Sequence, residues 1–246
     1  MKLKFVGNGP FGSTTRKNSS AYYLREKELL IIDLGINVAE DYKKLVSDLQ
    51  ITKITIAITH NHPDHSGGLS DFLIWCFFQK QLKTVVIVTE SNVKKSVESL
   101  LFNQGVFYVL QDTNTCCTLN LAEEKAYTFY GDLTISSFQT EHTKMPSYGF
   151  FIKNGNSTIV YSGDTKNSIL KQAVNYCNEE NIRLEAVYHE ITTNEGHSAV
   201  HTYYKHLLKD LEETGFQKEK LFVYHTNEKK EDLKKLGFNL VAQEGV

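Results

Sequence analysis

Proline is scarce in this chain, with three in 246 residues. No Pro-rich, Gly-rich or low-complexity stretch interrupts it. The sequence therefore offers no linker, and residues 1–246 read as a single domain. The cysteines are few as well. Cys76, Cys116, Cys117 and Cys177 show no CxxC spacing, and adjoining Cys116 and Cys117 are a poor disulfide framework, so reduced thiols are expected. A basic excess is missing. The formal net charge is -2, whereas a dedicated nucleic-acid binder gains its affinity by neutralising phosphates, so nucleic acid is not the expected partner. Long apolar runs are missing too. The most apolar stretch, LSDFLIWCFFQK, is broken by Asp71 and reads as a buried helix. The apolar run within MKLKFVGNGP is too short for a signal peptide, and a cytoplasmic location is expected.

What is present suits a soluble enzyme with one large core. Apolar, β-rich runs predict strands at KLKFVG, at two segments around the polar turn Arg25–Glu28, at ITIAIT, TVVIVT, FYVL and KAYTFY. Further strands are expected at LTISSFQT, YGFFIKN, STIVYSGD, LEAVYHE and LFVYHT. Helical spacing is expected over Asn37–Gln50, Leu69–Lys80, Asn92–Phe102, Lys166–Glu180, from near His197, and over Asn227–Leu236.

The chemistry is concentrated in AITHNHPDHSGG. His60 and His62 lie at alternate positions of an extended segment, so both can converge on one ion. Asp64 and His65 follow Pro63 and can turn toward a second. Imidazole and carboxylate suit zinc, manganese and iron alike. Two cations need more donors than one loop supplies. His142, Asp164, His225 and Asp33 each stand just beyond an apolar run, as residues at the mouth of a sheet would.

This order, Asp33, then HxHxDH, then His142, Asp164 and His225, resembles the metallo-β-lactamase fold superfamily over nearly the whole chain. The resemblance implies an α/β, four-layer αββα sandwich. It implies two divalent metals, Zn or Mn: one held by His60, His62 and His142, the other by Asp64, His65 and His225. Asp164 would bridge them, and Asp33 would brace the loop from behind. The aspartate at 164 favours phosphodiesterase- and lactonase-type hydrolases. His62, in place of the glutamate of HxExDH, argues against the flavin-linked iron members.

Two further stretches are similar to the RNase Z-like branch. In GNGPFGSTTRKNSSAYYL, Arg16, Asn18, Ser19 and Ser20 fill the Arg-Asn and Ser-rich positions. In HEITTNEGHSAVHTYYKHL, Glu190, His197 and Ser198 match a glutamate and a histidine followed by a small hydroxyl residue. The resemblance implies that Glu190 orients His197, which protonates the leaving oxygen, so Asp64, Glu190 and His197 are the candidate catalytic residues. His189, His201 and His206 carry no motif and are expected to be structural or surface residues. Ser198 and Tyr148 are candidate substrate contacts.

The chain lacks the tRNA-gripping arm of RNase Z between HxHxDH and Asp164. A compact member without that arm resembles the anti-Pycsar proteins. The resemblance implies a homodimeric hydrolase of 3′,5′-cyclic mononucleotides such as cCMP and cUMP, acting in a host cytoplasm if phage-encoded. The alternatives are a tRNA 3′-processing nuclease, a lactonase-type hydrolase, and a metal-binding structural or sensor protein without turnover.

Overall fold

A computed structural model of the chain describes all residues except 80, 81, 83, 107–115, 121–125, 245 and 246. The strand β3 (Glu28–Ile32) shows how its layers arise. Successive side chains of a strand point to opposite faces. Leu29 and Ile31 therefore join one apolar cluster, while Leu30 and Ile32 join another. All four are fully buried, so β3 must be covered on both sides. Truncating one of them, such as Ile31→Ala, would cost about 2–5 kcal/mol.

The rest of the architecture repeats that pattern. The first sheet runs β1 (Lys4–Gly7), β2 (Ser20–Arg25), β3, β4 (Lys53–Ala57), β5 (Thr84–Thr89) and β6 (Cys116–Asn120) in spatial order. The second runs β13 (Asn239–Leu240), β12 (Leu221–Tyr224), β11 (Arg183–Glu190), β10 (Ser157–Tyr161), β9 (Ser147–Asn154), β8 (Leu133–Thr140) and β7 (Tyr127–Tyr130). Phe5, Leu30, Ile32 and Val88 of the first sheet meet Phe150, Ile152, Ile159 and Tyr188 of the second in one cluster between the sheets. Outside the first sheet lie α1 (Ala39–Leu49), α3 (Leu69–Phe78) and α4 (Ser91–Asn103), packed on Leu29, Ile31, Ile54 and Ile56. Outside the second lie α5 (Leu170–Glu179), α6 (Tyr204–Thr214) and α7 (Lys230–Leu236), packed on Val160, Val187 and Val223. Three apolar layers between four structural layers make the expected αββα sandwich. Among the described residues no helix is long and apolar enough to cross a membrane.

Several element bounds differ from the sequence expectation, each for a local reason. The helix expected from Asn37 begins at Ala39 and stops where Gln50 turns left-handed, with φ 51°. The helix expected from Lys166 begins at Leu170, because the Thr165 hydroxyl accepts from Asn167 N–H and the Ser168 hydroxyl from Leu170 N–H. The final helix begins at Lys230 rather than Asn227, since residues 226–228 are held as a loop by Arg16. No helix begins at His197: residues Glu195–His197 form a single 3₁₀ turn, and α6 starts at Tyr204. The expected strand FYVL lies outside the described residues.

This topology decides where a site can be. β3, β4 and β5 are mutually parallel, and so are β10, β11 and β12. Their C-terminal ends open on one edge of the sandwich, where Asp33, His60, Asp164, Glu190 and His225 stand at or just past the strand ends. His142 reaches the same edge from the end of the antiparallel strand β8.

Candidate metal centre

The loop after β4 is shaped by one proline and one neighbouring glycine. His62 is still extended, with φ -71° and ψ 150°, and Pro63 then opens the single turn α2 (Pro63–Ser66). Proline suits that first helical position because no backbone N–H is needed there. The turn carries Asp64 and His65 inward, and both are buried. Gly35 allows the loop to pack down, since a Cβ on it would lie 2.2 Å from the Asp64 carbonyl oxygen.

Behind the loop stands Asp33, fully buried and left-handed at φ 60°. Such a backbone in a non-glycine residue costs of order 1–3 kcal/mol and persists only where surroundings enforce it. The enforcement is visible. Asp33 Oδ1 accepts from Thr59 N–H at 2.9 Å and Oδ2 accepts from His65 Nδ1–H at 2.8 Å. The Asp33 carbonyl also accepts from the Ser20 hydroxyl at 2.6 Å. Asp33 is thus bonded to the loop through both carboxylate oxygens, and Ser20 of the N-terminal motif bonds to its backbone. With its Nδ1 proton spent on Asp33, His65 presents Nε2 forward. The same logic fixes two more rings. The Thr59 hydroxyl proton is directed to Asp33, so its oxygen accepts from His60 Nδ1–H at 3.0 Å. His142 Nδ1–H donates to the Val200 carbonyl at 2.6 Å. Both rings thus turn an unprotonated Nε2 into the centre.

Three groups of donors result. His60 Nε2 and His142 Nε2 lie 2.9 and 3.2 Å from His62 Nδ1. His65 Nε2 and His225 Nε2 lie 3.4 and 3.2 Å from Asp64 Oδ2. Asp164 stands between them, with Oδ1 3.5 Å from His65 Nε2, and Oδ2 3.6 Å from His142 Nε2 and 3.5 Å from His225 Nε2. Within each of the sets His60–His62–His142 and Asp64–His65–His225, the donor atoms lie within 4.8 Å of one another. All seven residues read from the sequence are brought together.

Charge follows burial and partners. Burial holds the His60, His62 and His142 imidazoles below their usual range, which keeps them neutral. Burial would also lower His65, but Asp164, Asp64 and Asp33 outweigh it and raise that ring well above the usual range. Burial would raise the Asp164 and Asp64 carboxyls. His225, His65 and His60 outweigh it at Asp164, and His65 and His225 do so at Asp64, so both are held well down. Neutral imidazoles and ionised carboxylates are the ligand forms; His60, His62, His142, Asp64 and Asp164 already hold them, and His65 would reach its form by giving up the Nε2 proton to make room for a cation. His65 Nε2 and Asp164 Oδ1 are buried and have no hydrogen-bond partner among the described residues. A cation between them would satisfy both, and the donor set fits a divalent one.

Glu190 is where the structure departs from expectation. Its partner is His201, not His197. Glu190 is fully buried, and its Oε1 accepts from Thr165 N–H at 3.2 Å and Thr202 N–H at 2.8 Å. Its Oε2 faces His201 Nδ1 at 3.3 Å, and the same nitrogen lies 3.9 Å from Asp164 Oδ2. Burial lowers the His201 pKa, but the Glu190 carboxylate 3.3 Å away outweighs it and pushes it up to about 9. His197 is exposed. The segment doubles back, with Thr192 N–H bonded to the Thr202 carbonyl and Tyr204 N–H to the Thr192 carbonyl. That reversal brings His201 and Thr202 beside Glu190 and leaves His197 on the outer lip. A cue existed in the sequence, since His201–Thr202 is also a histidine followed by a hydroxyl residue.

A cavity of about 590 Å³ opens over the centre, within the range of about 300–1,000 Å³ typical of small-molecule sites. Phe11, His62, Asp164, Thr192, His197 and His201 are among its lining residues. Ser198 and Tyr148 do not line it. Tyr148 lines an adjacent hollow of about 320 Å³ that meets the first at His142 and Thr143. Tyr148, expected as a substrate contact, instead packs partly buried against the outer apolar cluster of the first sheet.

A family model described as Anti-Pycsar protein Apyc1 matches residues 1–246. The Anti-Pycsar protein Apyc1 of Paenibacillus sp. (strain J14) is 26% identical over 218 residues, covering 85% of this chain and 83% of that protein. The Ribonuclease Z of Lactobacillus helveticus (strain DPC 4571) is 26% identical over 157 residues, covering 61% of this chain. The match spans about half the length of that Ribonuclease Z, 47%. Among solved structures, the metallo-beta-lactamase fold protein YhfI from Bacillus subtilis is similar at TM-score 0.70, 18% identity and coverage of 96% and 91% of the two chains. Human tRNase Z, short form, is similar at TM-score 0.65, 19% identity and coverage of 92% and 93%. At such identities the structural likeness carries the fold alone.

Proposed function

Since the chain belongs to the anti-Pycsar protein Apyc1 family, with the metallo-β-lactamase fold of a hydrolase, we propose that it is a metal-dependent phosphodiesterase. It hydrolyses 3′,5′-cyclic mononucleotides, among them cCMP and cUMP, to nucleoside 5′-monophosphates and so counters Pycsar antiviral signalling. His60, His62 and His142 hold one divalent cation, Asp64, His65 and His225 a second, and Asp164 serves both; zinc and manganese each suit these donors. Such cations acidify the attacking water and neutralise phosphoryl oxygens as negative charge grows on them.

The observation that carries this reading is the pair Glu190–His201 beside Asp164. Opening the ring of a cyclic nucleotide breaks the P–O3′ bond, and a ribose alkoxide leaves poorly without a proton. His201 is held protonated by Glu190 at neutral pH. With Nδ1 facing Glu190, Nε2 is the nitrogen left to give its proton to O3′. Glu190 is a positioning residue that keeps the imidazolium charged and oriented. His201 takes the role that the sequence motif suggested for His197.

A small substrate fits the rest. Between His142 and Asp164 the chain holds only the β9–β10 hairpin and its flanking loops, so no arm is available there to grip a long RNA. The deciding experiment is a product assay on cyclic CMP, UMP and AMP, a pre-tRNA and a model lactone, each with manganese or zinc. Turnover of the cyclic nucleotides to 5′-monophosphates is expected. Cleavage of the pre-tRNA alone would replace this reading with a tRNA 3′-processing nuclease. The working form is a homodimer in the cytoplasm, and sedimentation showing only a 28.1 kDa species would contradict the dimer.

A further inference from the structure

An exposed phenylalanine by itself means little, because single apolar side chains are common on protein surfaces. Phe11 is different in its setting. It is 67% exposed at the lip of the cavity over the donor cluster. Among the described lining residues, it is the one carbocyclic aromatic side chain; the other rings are the histidines, Pro10 and Pro63.

Its presentation is rigid. Ser13 N–H donates to the Pro10 carbonyl at 3.2 Å, closing a turn with Phe11 and Gly12 at its centre. Gly12 has φ +70°, the value a type II turn needs at that position, and nothing lies within 4 Å of where its Cβ would be. Proline before and glycine after thus set Phe11 at the tip. The base of the loop is closed by Gly9 N–H to the Lys17 carbonyl at 2.8 Å and Ser19 N–H to the Gly9 carbonyl at 2.9 Å.

The loop is also fastened to the donor cluster. The Ser13 hydroxyl donates to Asn227 Oδ1 at 2.7 Å. The Arg16 guanidinium donates to the Thr226 and Glu228 carbonyls at 2.8 and 2.5 Å. Those residues directly follow His225, which is itself held left-handed at φ 59°. Phe11 and His225 are therefore carried by one bonded unit.

Building on the reading of the site as a cyclic-nucleotide hydrolase, we propose that Phe11 is the platform on which the nucleobase stacks, so that the phosphate is delivered to the donor cluster. Every base has a π-face, so such a platform binds purines and pyrimidines alike and sets affinity rather than base identity. Because the base stays stacked in ground and transition states alike, its loss falls on KM rather than kcat.

The test compares the metal-loaded wild type with Phe11→Ala and Phe11→Tyr. Base–aromatic stacking corresponds to about 5- to 150-fold in affinity. Phe11→Ala should raise KM for cyclic CMP and cyclic AMP by a factor in that range, and Phe11→Tyr should restore most of it. Inhibition by CMP, the 5′-monophosphate, should weaken in parallel with KM. Inhibition by ribose 5-phosphate, which has no base, should not change. Unchanged KM for both cyclic nucleotides in Phe11→Ala, with wild-type turnover intact, overturns the platform and leaves the proposed activity standing. A fall in ribose 5-phosphate binding equal to that of CMP also overturns it, because the loop would then be acting on the phosphate end. A wild type that neither hydrolyses nor binds any of these nucleotides removes the proposed activity and the platform together.

Discussion

Residues 60–65 and residues 190–202 both carry histidines at close spacing on the same edge of the sandwich, yet they obey different rules. In the first, an extended segment runs into one proline-initiated turn, so side-chain direction follows from position in the chain. In the second, two histidines lie four residues apart in a loop whose order comes from bonds to distant partners. Thr202 N–H reaches back to Glu190, and the Thr192 backbone pairs with Thr202 and Tyr204. Spacing is enough where local geometry is regular. Where the chain reverses on itself, spacing does not say which residue returns.

The largest expected effect breaks the part the two regions share. Asp164 contacts histidines of the 60–65 loop as well as His142, His201 and His225. Asp164→Ala should abolish turnover and leave fewer than two metal ions per chain by elemental analysis, with far-ultraviolet circular dichroism unchanged. Full metal content with full activity would show that the two donor sets are independent.

The next sharpens the contrast inside residues 190–202. His201→Ala should slow cyclic-nucleotide hydrolysis by about 10²–10⁴-fold, the usual contribution of a general acid. The defect should shrink on bis(p-nitrophenyl) phosphate, whose leaving group needs no proton. His197→Ala should fall well short of the His201→Ala loss, as suits an exposed residue on the lip. The opposite ranking would restore His197 as the acid.

Beside Glu190, His189 tests the interior of that region. It is fully buried, donating from Nδ1 to the Glu190 carbonyl and accepting at Nε2 from Ile169 N–H. Burial lowers its pKa from 6.5 to about 4. Below pH 6.5 the unfolded chain takes up a proton that the folded chain refuses until about pH 4. The stabilisation is therefore complete above pH 6.5 and is lost as pH falls through that window, by roughly 3 kcal/mol. Urea unfolding of His189→Gln between pH 7 and 4 should show a shallower slope than the wild type.

The smallest effect probes the brace behind the first region. Asp33→Asn keeps the shape but removes the charge facing His65. Loss of such a supporting partner typically weakens metal affinity by about 10–100-fold. Competition with a chelator would measure it, and an unchanged affinity would mean that Thr59 and the turn alone hold the loop.

Much of the centre was legible before any coordinates. Strand-end positions of Asp33, His60, Asp164 and His225 follow from the apolar runs before them, because such runs end where a strand reaches the rim of a sheet. The four layers were implied by the family resemblance, and runs such as LLII, whose two faces must both be covered, agree with them. The partner of Glu190 was not legible. Nor was the stiffness of the Phe11 loop, since Arg16 and Ser13 act on residues more than 200 positions away. The amino-acid sequence by itself determined the strands and the donors of the HxHxDH loop, because these depend on apolar runs and on residues a few positions apart; the four layers and the full set of seven donors were what its resemblance to a known family implied. Only the tertiary structure decided that His201 rather than His197 meets Glu190, that Tyr148 faces a separate hollow and that Phe11 overhangs the donors. Those outcomes depend on long-range hydrogen bonds and loop reversals, whose energies no local spacing encodes.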